Sequence, residues 1–344
     1  MSWLPGVDDD DEYEEWDESA ARVRPNPKAN RPRTKRRPEH EDAVVGRVLT
    51  VDRGRYGLLV HEGEPEEREV TATRARELRT QSIVTGDRVD VVGDTSGDEG
   101  SLSRIVRIRE RTTLLRRSAD DTDEVERIVV ANADQLMIVV AAANPEPRPR
   151  LVDRYLVAAY DAGIAPLLVV TKTDLADPAP FLRNFAGLDL PVVTSAKGEA
   201  PLDALAPLLD GRTTVAVGHS GVGKSTLVNA LVPSAGRATG RVNEVTGRGR
   251  HTSSSTVSYR VPSGGWIIDT PGIRSFGLGH VDRDSILRGF PDLAAIAEDC
   301  PRGCTHLADA PDCALDEAAE RGELDEVGRL RLDSLRRLLA TLAG

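Results

Sequence analysis

The sequence predicts a multidomain chain: an N-terminal OB-fold β-barrel, a central α/β domain on a parallel sheet, and a C-terminal helical segment folded around a metal. Three observations lead there. Five short apolar runs cut by glycine turns fill the first ordered stretch. A phosphate-loop motif stands between an apolar strand and an amphipathic helix. All three cysteines cluster with one histidine near the C-terminus.

At 344 residues the chain exceeds one typical domain, so two or three parts are expected. The apolar fraction of 39% is ordinary for a soluble protein and suffices for a buried core. The start of the chain has neither a basic stretch nor an apolar core, so no signal peptide is read. The longest strongly apolar stretch, 136–143, is too short to span a bilayer. A cytoplasmic protein without membrane contact is expected.

The net charge of −11 argues against a simple nucleic-acid binder, yet the charge is unevenly placed. Residues 8–18 are almost continuously acidic, and 22–37 hold eight Lys/Arg among prolines with no acid. Such blocks read as a disordered arm, assigned here to residues 1–42. A solvated tail and an arm touching RNA phosphates both remain open.

The barrel is expected over residues 43–112. Its strands are read at 44–51, 56–61, 69–72, 87–92 and 103–108, punctuated by Gly54, Gly63, Gly86 and the 93–101 loop. Arg104, Arg107, Arg109, Arg111, Arg116 and Arg117 are placed on its edge. They form either an RNA-binding face or a plain charged surface. From Asp120 the pattern changes. Apolar strands at 134–142, 166–170, 191–194 and 213–217 alternate with helices such as 151–162 and 202–209, which gives a parallel sheet covered on both faces. Strands at 256–261 and 265–268 follow. The chain turns helical from Arg283 and closes with a helix over 324–342.

Gly218, His219, Ser220, Gly221, Val222, Gly223, Lys224 and Ser225 match the G-x-x-x-x-G-K-[ST] phosphate loop at every fixed position. Its glycines let backbone N–H groups converge on phosphates at a helix N-terminus. Lys224 would reach the β- and γ-phosphates, and Ser225 would ligate Mg²⁺. Asp269, at a strand end in Asp-Thr-Pro-Gly, is placed to hold Mg²⁺ through water, and Gly272 lets the backbone approach a γ-phosphate.

Base choice falls to Thr171-Lys172-Thr173-Asp174 and to Ser195-Ala196-Lys197, each leaving a strand. The Asp174 carboxylate can accept from both N1–H and the exocyclic amine of guanine, a pattern adenine lacks. The Lys172 stem can cover one ring face, and the Ala196 N–H can donate to O6. These stretches resemble the N-K-x-D and S-A-K elements of GTPases, with Thr171 where Asn is usual, a change that bears on one loop-stabilising hydrogen bond.

Their order is informative. In ordinary GTPases the phosphate loop comes first, whereas here the guanine elements precede it, as in a circular permutation. Residues 247–256, Gly-Arg-Gly-Arg-His-Thr-Ser-Ser-Ser-Thr, resemble switch I of one permuted family. From about Val44 to its C-terminus the chain resembles the RsgA family of small ribosomal subunit biogenesis GTPases. That resemblance implies an OB-fold, a circularly permuted P-loop GTPase domain over 113–280 and a zinc domain over 281–344. It also implies GTP hydrolysis stimulated by the small (30S) subunit during late maturation, contacts to rRNA, and phosphate and Mg²⁺ binding through Gly221, Gly223, Lys224, Ser225 and Thr226. His251 is the implied catalytic residue beside Lys224 and Asp269. Thr252, with Ser253 and Ser254, stands where the family has a threonine run that completes the Mg²⁺ shell. A monomer is expected. The alternative is a GTP-responsive, ribosome-binding module with little turnover.

Cys300, Cys304, His306 and Cys313 supply four soft or borderline ligands within fourteen residues. A full Cys₃His set suits tetrahedral Zn²⁺ and leaves no open position, so one structural zinc is expected. The family pattern spaces the first pair by four residues and the last by five; here the spacings are three and six with the same span.

Overall fold

Five strands close into the N-terminal barrel: β1 (Val44–Asp52), β2 (Arg55–Val60), β3 (Arg68–Arg74), β4 (Arg88–Gly93) and β5 (Ser103–Ile108). They pair in the order β1-β2-β3-β5-β4, and β4 returns to β1; β3 and β5 run parallel and the remaining pairs antiparallel. Closure removes the open edges, as an OB-fold requires. Alternate residues point inward: Leu58 and Val60, Val70 and Ala72, Val89 and Val91, with Ile105, share one apolar cluster. The computed structural model describes residues 40–118, 126–233, 235, 256–270, 276 and 278–342. Tail residues 1–39, and His251, Thr252, Ser253, Ser254, Gly272 and Ile273, lie outside the described residues.

Next comes a two-stranded ribbon that the sequence reading did not contain, β6 (Leu114–Ser118) with β7 (Glu126–Ala131). Arg116 and Arg117 therefore belong to this ribbon and not to the barrel edge. The short strands had merged into the change of pattern near Asp120.

The parallel sheet runs β10-β9-β8-β11-β13-β12. Its members are β8 (Gln135–Ala141), β9 (Ala165–Thr171), β10 (Val192–Thr194), β11 (Thr213–Gly218), β12 (Val257–Arg260) and β13 (Trp266–Asp269). Only β12 is antiparallel. Strands covered on both faces carry continuous apolar runs, and every residue of β8 is buried. Helix α1 (Pro149–Asp161) follows β8, with Val152, Tyr155, Leu156 and Ala159 buried at helical spacing. It ends in a paired cap: Gly163 N–H reaches the Tyr160 carbonyl and Ile164 N–H the Ala159 carbonyl. A short α2 (Ala179–Leu182) and α3 (Leu202–Leu209) precede β11, and α4 (Lys224–Leu231) follows it. Leu205, Leu209, Leu227, Val228 and Leu231 cover the face opposite α1.

The C-terminal segment forms α5 (Arg283–Leu287), α6 (Pro291–Ala297), α7 (Ala314–Glu320) and α8 (Glu326–Ala340). The last starts two residues later than the apolar pattern suggests, because Asp325 caps it by accepting from Gly328 N–H at 2.7 Å. Phe290, Leu293, Leu315, Leu335 and Leu338 join the apolar cluster of α1, so these helices share the sheet's core. Arg337 of α8 pairs with buried Asp153 of α1 at 3.1 Å. Burial pushes the Asp153 carboxyl up, and Arg337 only partly offsets it. His280, in the turn before α5, meets Asp161 at the end of α1 at 3.1 Å.

Barrel and parallel sheet are continuous. A register shift between Val48 and Thr50 bends β1, which lets one strand pair with β2, with β4 and, through Thr50 opposite Val257, with β12.

Candidate nucleotide site and metal centre

The C-terminal ends of β8, β9, β10, β11 and β13 share one edge of the sheet, where open α/β folds place their ligands. The phosphate loop leaves β11 at Gly218. A Cβ there would come within 2.4 Å of the Val139 carbonyl, so only glycine fits beside β8. Gly223 caps α4 at φ +94°, a left-handed conformation that glycine adopts without strain. Val222 is buried and anchors the loop; Ser225 and Thr226 are exposed on the first turn of α4. This geometry presents successive N–H groups and a helix N-terminus to an anion. His219 is half-buried, and its Nδ1 lies 3.1 Å from the Ser220 carbonyl, which ties it to the loop itself.

Lys224 is ion-paired with Asp269, side chain to side chain. The two arrive from adjacent parallel strands, with Ala216 of β11 opposite Asp269 of β13. Buried Thr270 fixes the exit of β13 by donating to the Ala216 carbonyl at 2.8 Å. Burial, then the Asp269 charge, push the neighbouring Tyr259 phenol up.

The guanine elements are fastened to this loop. The hydroxyl of Thr171, buried at the end of β9, sits within donating distance of the Val222 carbonyl and lies 3.1 Å from the Val140 carbonyl. Its single proton serves one of them at a time. The threonine thus supplies the inter-loop bond that the missing Asn put in question. Lys172 (φ +57°) donates from Nζ to the Gly221 carbonyl at 2.7 Å and to the Asn144 carbonyl. Exposed Asp174 accepts at Oδ1 from the Lys197 N–H at 2.9 Å, and Thr173 N–H reaches the Ser195 carbonyl at 3.2 Å. Ser195 closes its own turn by donating to the Glu199 carbonyl at 2.9 Å. Thr171–Asp174 and Ser195–Lys197 therefore form one interlocked unit, with Ala196 between two fixed neighbours.

The ligand atoms of Cys300, Cys304, His306 and Cys313 all lie within 4.8 Å of one another. Cys300 Sγ is 3.6 Å from His306 Nδ1 and 4.0 Å from Cys313 Sγ. A tetrahedron with metal–S of about 2.3 Å and metal–N of about 2.0 Å has S···S edges of roughly 3.8 Å and S···N edges of roughly 3.5 Å. The donor set therefore fits one tetrahedral ion with little movement. Burial, then the neighbouring thiols, push Cys300 up to about 11, so this sulfur ionises near neutral pH only with a cation beside it. Backbone N–H groups of Ala314 and His306 point at Cys300 Sγ and Cys304 Sγ at 3.3 and 3.4 Å. Arg336 holds the His306 carbonyl at 3.2 Å, which orients that ligand.

The barrel arginines divide. Arg107 and Arg109 both pair with Asp90, at 3.6 and 2.7 Å, and Arg111 pairs with buried Asp87 at 2.7 Å. Arg104 is exposed on β5. Part of the predicted basic face thus neutralises the barrel's own acids.

Comparison with known proteins agrees with this geometry. The family model described as RsgA GTPase matches residues 108–279. A Pseudomonas syringae pv. syringae protein named small ribosomal subunit biogenesis GTPase RsgA is 41% identical over 298 residues, 83% of each chain. A Pseudomonas aeruginosa protein of the same name is 39% identical over 269 residues, 76% of each chain. Among solved structures, YjeQ from Thermotoga maritima aligns with a TM-score of 0.64 at 24% identity, over 88% of this chain and 99% of that one. YloQ, described as a circularly permuted GTPase, aligns with a TM-score of 0.62 at 25% identity, over 89% and 96%.

Proposed function

The chain belongs to the RsgA GTPase family, and from that premise we propose how its residues divide the work of a GTPase acting on the small ribosomal subunit. The protein hydrolyses GTP to GDP and phosphate. The observation carrying the residue assignment is the interlock of phosphate loop and guanine loops through Thr171 and Lys172. A base held at Asp174 then fixes where the phosphates lie. The backbone of 218–223 cradles them, and Lys224 leaves Asp269 to reach the β- and γ-oxygens. Ser225 and Asp269, with one hydroxyl of Thr252, Ser253 or Ser254, would hold Mg²⁺, which would supply positive charge against the transferred phosphoryl group. Gly272 approaches the γ-phosphate, and His251 is the catalytic group. Binding, orientation and electrostatics supply the catalysis, without a covalent intermediate.

The barrel (43–112) and the metal-bearing segment (281–344) flank the GTPase part (113–280) and contact rRNA of the small subunit in this reading. The subunit's location makes the protein cytoplasmic. No helix among the described residues is long and apolar enough to cross a membrane. The direct test is phosphate release from GTP and from ATP, with and without purified small subunits. Release from GTP alone, raised by subunits, is the expected result. Release from ATP at a similar rate would remove the guanine assignment, and no release under any condition would leave a binding module.

RNA contact through the barrel is mainly electrostatic, so subunit affinity is expected to fall steeply with salt. Each neutralised phosphate contributes a log–log slope of roughly −0.7 to −0.9. Arg104→Glu is the informative reversal, because reversing Arg107 or Arg109 also places an acid against Asp90. It is expected to weaken binding and flatten the salt slope by roughly one contact. A salt-independent affinity points instead to a protein partner.

We read the Cys₃His set as a structural zinc site, supported by its donor types. About one equivalent of Zn²⁺ per chain is expected. Because α7 packs on α6, and α8 on α1, Cys304→Ser should loosen the 300–313 loop and lower thermal stability and subunit binding, while nucleotide affinity stays nearly intact. Freshly purified protein free of zinc in metal analysis would sink the assignment.

A further inference from the structure

Trp266 opens β13, three residues before Asp269, and is 8% exposed at the seam between barrel and parallel sheet. Two guanidinium groups stack on its ring: Arg47 of β1 at 4.8 Å and Arg260 of β12 at 5.1 Å from the centroid. The indole N–H donates to Glu62 Oε1 at 2.8 Å. Glu62 also pairs with Arg47 at 3.1 Å and with Arg88. Glu67 accepts both Arg260 amino groups, at 2.8 and 2.7 Å. The β2–β3 connection thus provides two carboxylates, each holding one guanidinium on the same indole. Burial opposes the charge on Glu62, yet Arg47 and Arg88 hold its carboxyl below the usual range.

Of these pairs Arg47–Glu62 is largely buried and Arg260–Glu67 half-exposed; neither kind adds much stability, and fixing a unique register is the best-attested use of such pairs. The register fixed here matters for the site. β12 begins at Val257, directly after the switch I stretch, and β13 ends at Asp269, directly before switch II. Barrel residues grip both strands. Arg260 and Trp266 lie opposite each other across β12 and β13. Thr85 of the barrel donates to the Thr256 carbonyl at 3.2 Å, and Thr50 pairs with Val257. Every chain segment that enters or leaves switch I on its β12 side is therefore held by the barrel.

We propose that Arg47, Glu62, Glu67, Arg88, Arg260 and Trp266 form a clamp that positions β12 and β13, and through them Asp269 and switch I, so that nucleotide state and barrel load are coupled. Trp266 and Glu67 are positioning residues, outside the phosphate-loop and base-loop residues assigned above. The coupling is reciprocal, as linkage requires: whatever the GTP state does to the seam, a partner on the barrel does to GTP affinity. The inference rests on the GTPase reading above, and its first test needs no ribosome.

Replacing Trp3 and Trp16 by phenylalanine leaves Trp266 as the one indole of the chain. Exchange of GDP–Mg²⁺ for a non-hydrolysable GTP analogue with Mg²⁺ is expected to move its emission. Glu67→Gln and Arg260→Gln should each abolish the movement while GDP affinity holds, and the double variant should do no more than either single one. Emission that ignores the nucleotide in the parent, or persists in both variants, overturns the clamp. A second arm compares small-subunit affinity in the analogue and GDP states. The parent ratio is expected at roughly 5–150-fold and should collapse toward one in Glu67→Gln. An unchanged ratio overturns the coupling. A parent that binds no subunits refutes the functional reading instead, and the fluorescence arm still decides the clamp.

Discussion

Asp174→Asn is expected to move nucleotide preference from GTP toward xanthosine triphosphate. The Lys197 N–H already occupies one side of this carboxylate at 2.9 Å. An asparagine keeps that bond through its carbonyl oxygen, which turns its amide NH₂ toward the base. The asparagine oxygen still accepts from N1–H, but the exocyclic amine of guanine now faces a donor. That mismatch costs roughly 1–3 kcal/mol, about 5- to 150-fold in affinity. Xanthine, with a carbonyl in place of the amine, meets the new donor. Competition between the two triphosphates for the fluorescent-GDP site measures the shift, and an unchanged preference in the variant removes Asp174 from base recognition.

The structure also shows which features a sequence exposes. The five barrel strands were legible because a barrel buries one face of each strand, so apolar residues alternate between glycine turns, as at Leu58 and Val60. Strands β8, β9 and β11 were legible for the opposite reason: buried on both faces, they carry continuous apolar runs such as 136–141 and 166–170. The β6–β7 ribbon was not, since Leu114–Ser118 and Glu126–Ala131 carry arginines on short strands with little alternation. Motif chemistry singled out the phosphate-loop stretch, the proposed guanine elements and the Cys₃His donor set, because backbone geometry or ligand valence dictates those residue types. It could not reveal the Thr171 hydroxyl acting toward Val222, a contact between residues 51 positions apart. The Trp266 seam was equally hidden. Its arginines and glutamates read as surface charge, and the pairing of Glu62 with Arg47 and Trp266 exists only once the barrel closes against β13.

The same seam bears on how hydrolysis is switched on, where the largest mutational effect is expected. In Ras-like GTPases a Gln after the D-x-x-G glycine orients the attacking water. Here that position is Ile273, which can neither donate nor accept a hydrogen bond. Intrinsic turnover is therefore expected near the unassisted Ras rate, ~10⁻⁴–10⁻³ s⁻¹. His251 in switch I is the proposed replacement: an imidazole titrates near neutral pH and can position a water or pass a proton. Thr256, which follows it in the chain, is held by Thr85 of the barrel at 3.2 Å. At its other end switch II leads into Phe276, fully buried against Tyr155 of α1 with the rings 5.7 Å apart. Helices α5 and α8 pack on that same α1. One switch thus ends on the barrel and the other on the helix that carries the metal-bearing segment, so a subunit gripping both parts can order the two switches together. Catalytic parts supplied in this way are worth ~10³–10⁵-fold in GTPase precedents. Small subunits are expected to raise turnover by that order, and His251→Ala to keep GTP affinity while losing most of the gain. Single-turnover phosphate release with saturating subunits measures it. Stimulation of the variant equal to that of the parent would transfer the catalytic role from His251 to a group on the subunit.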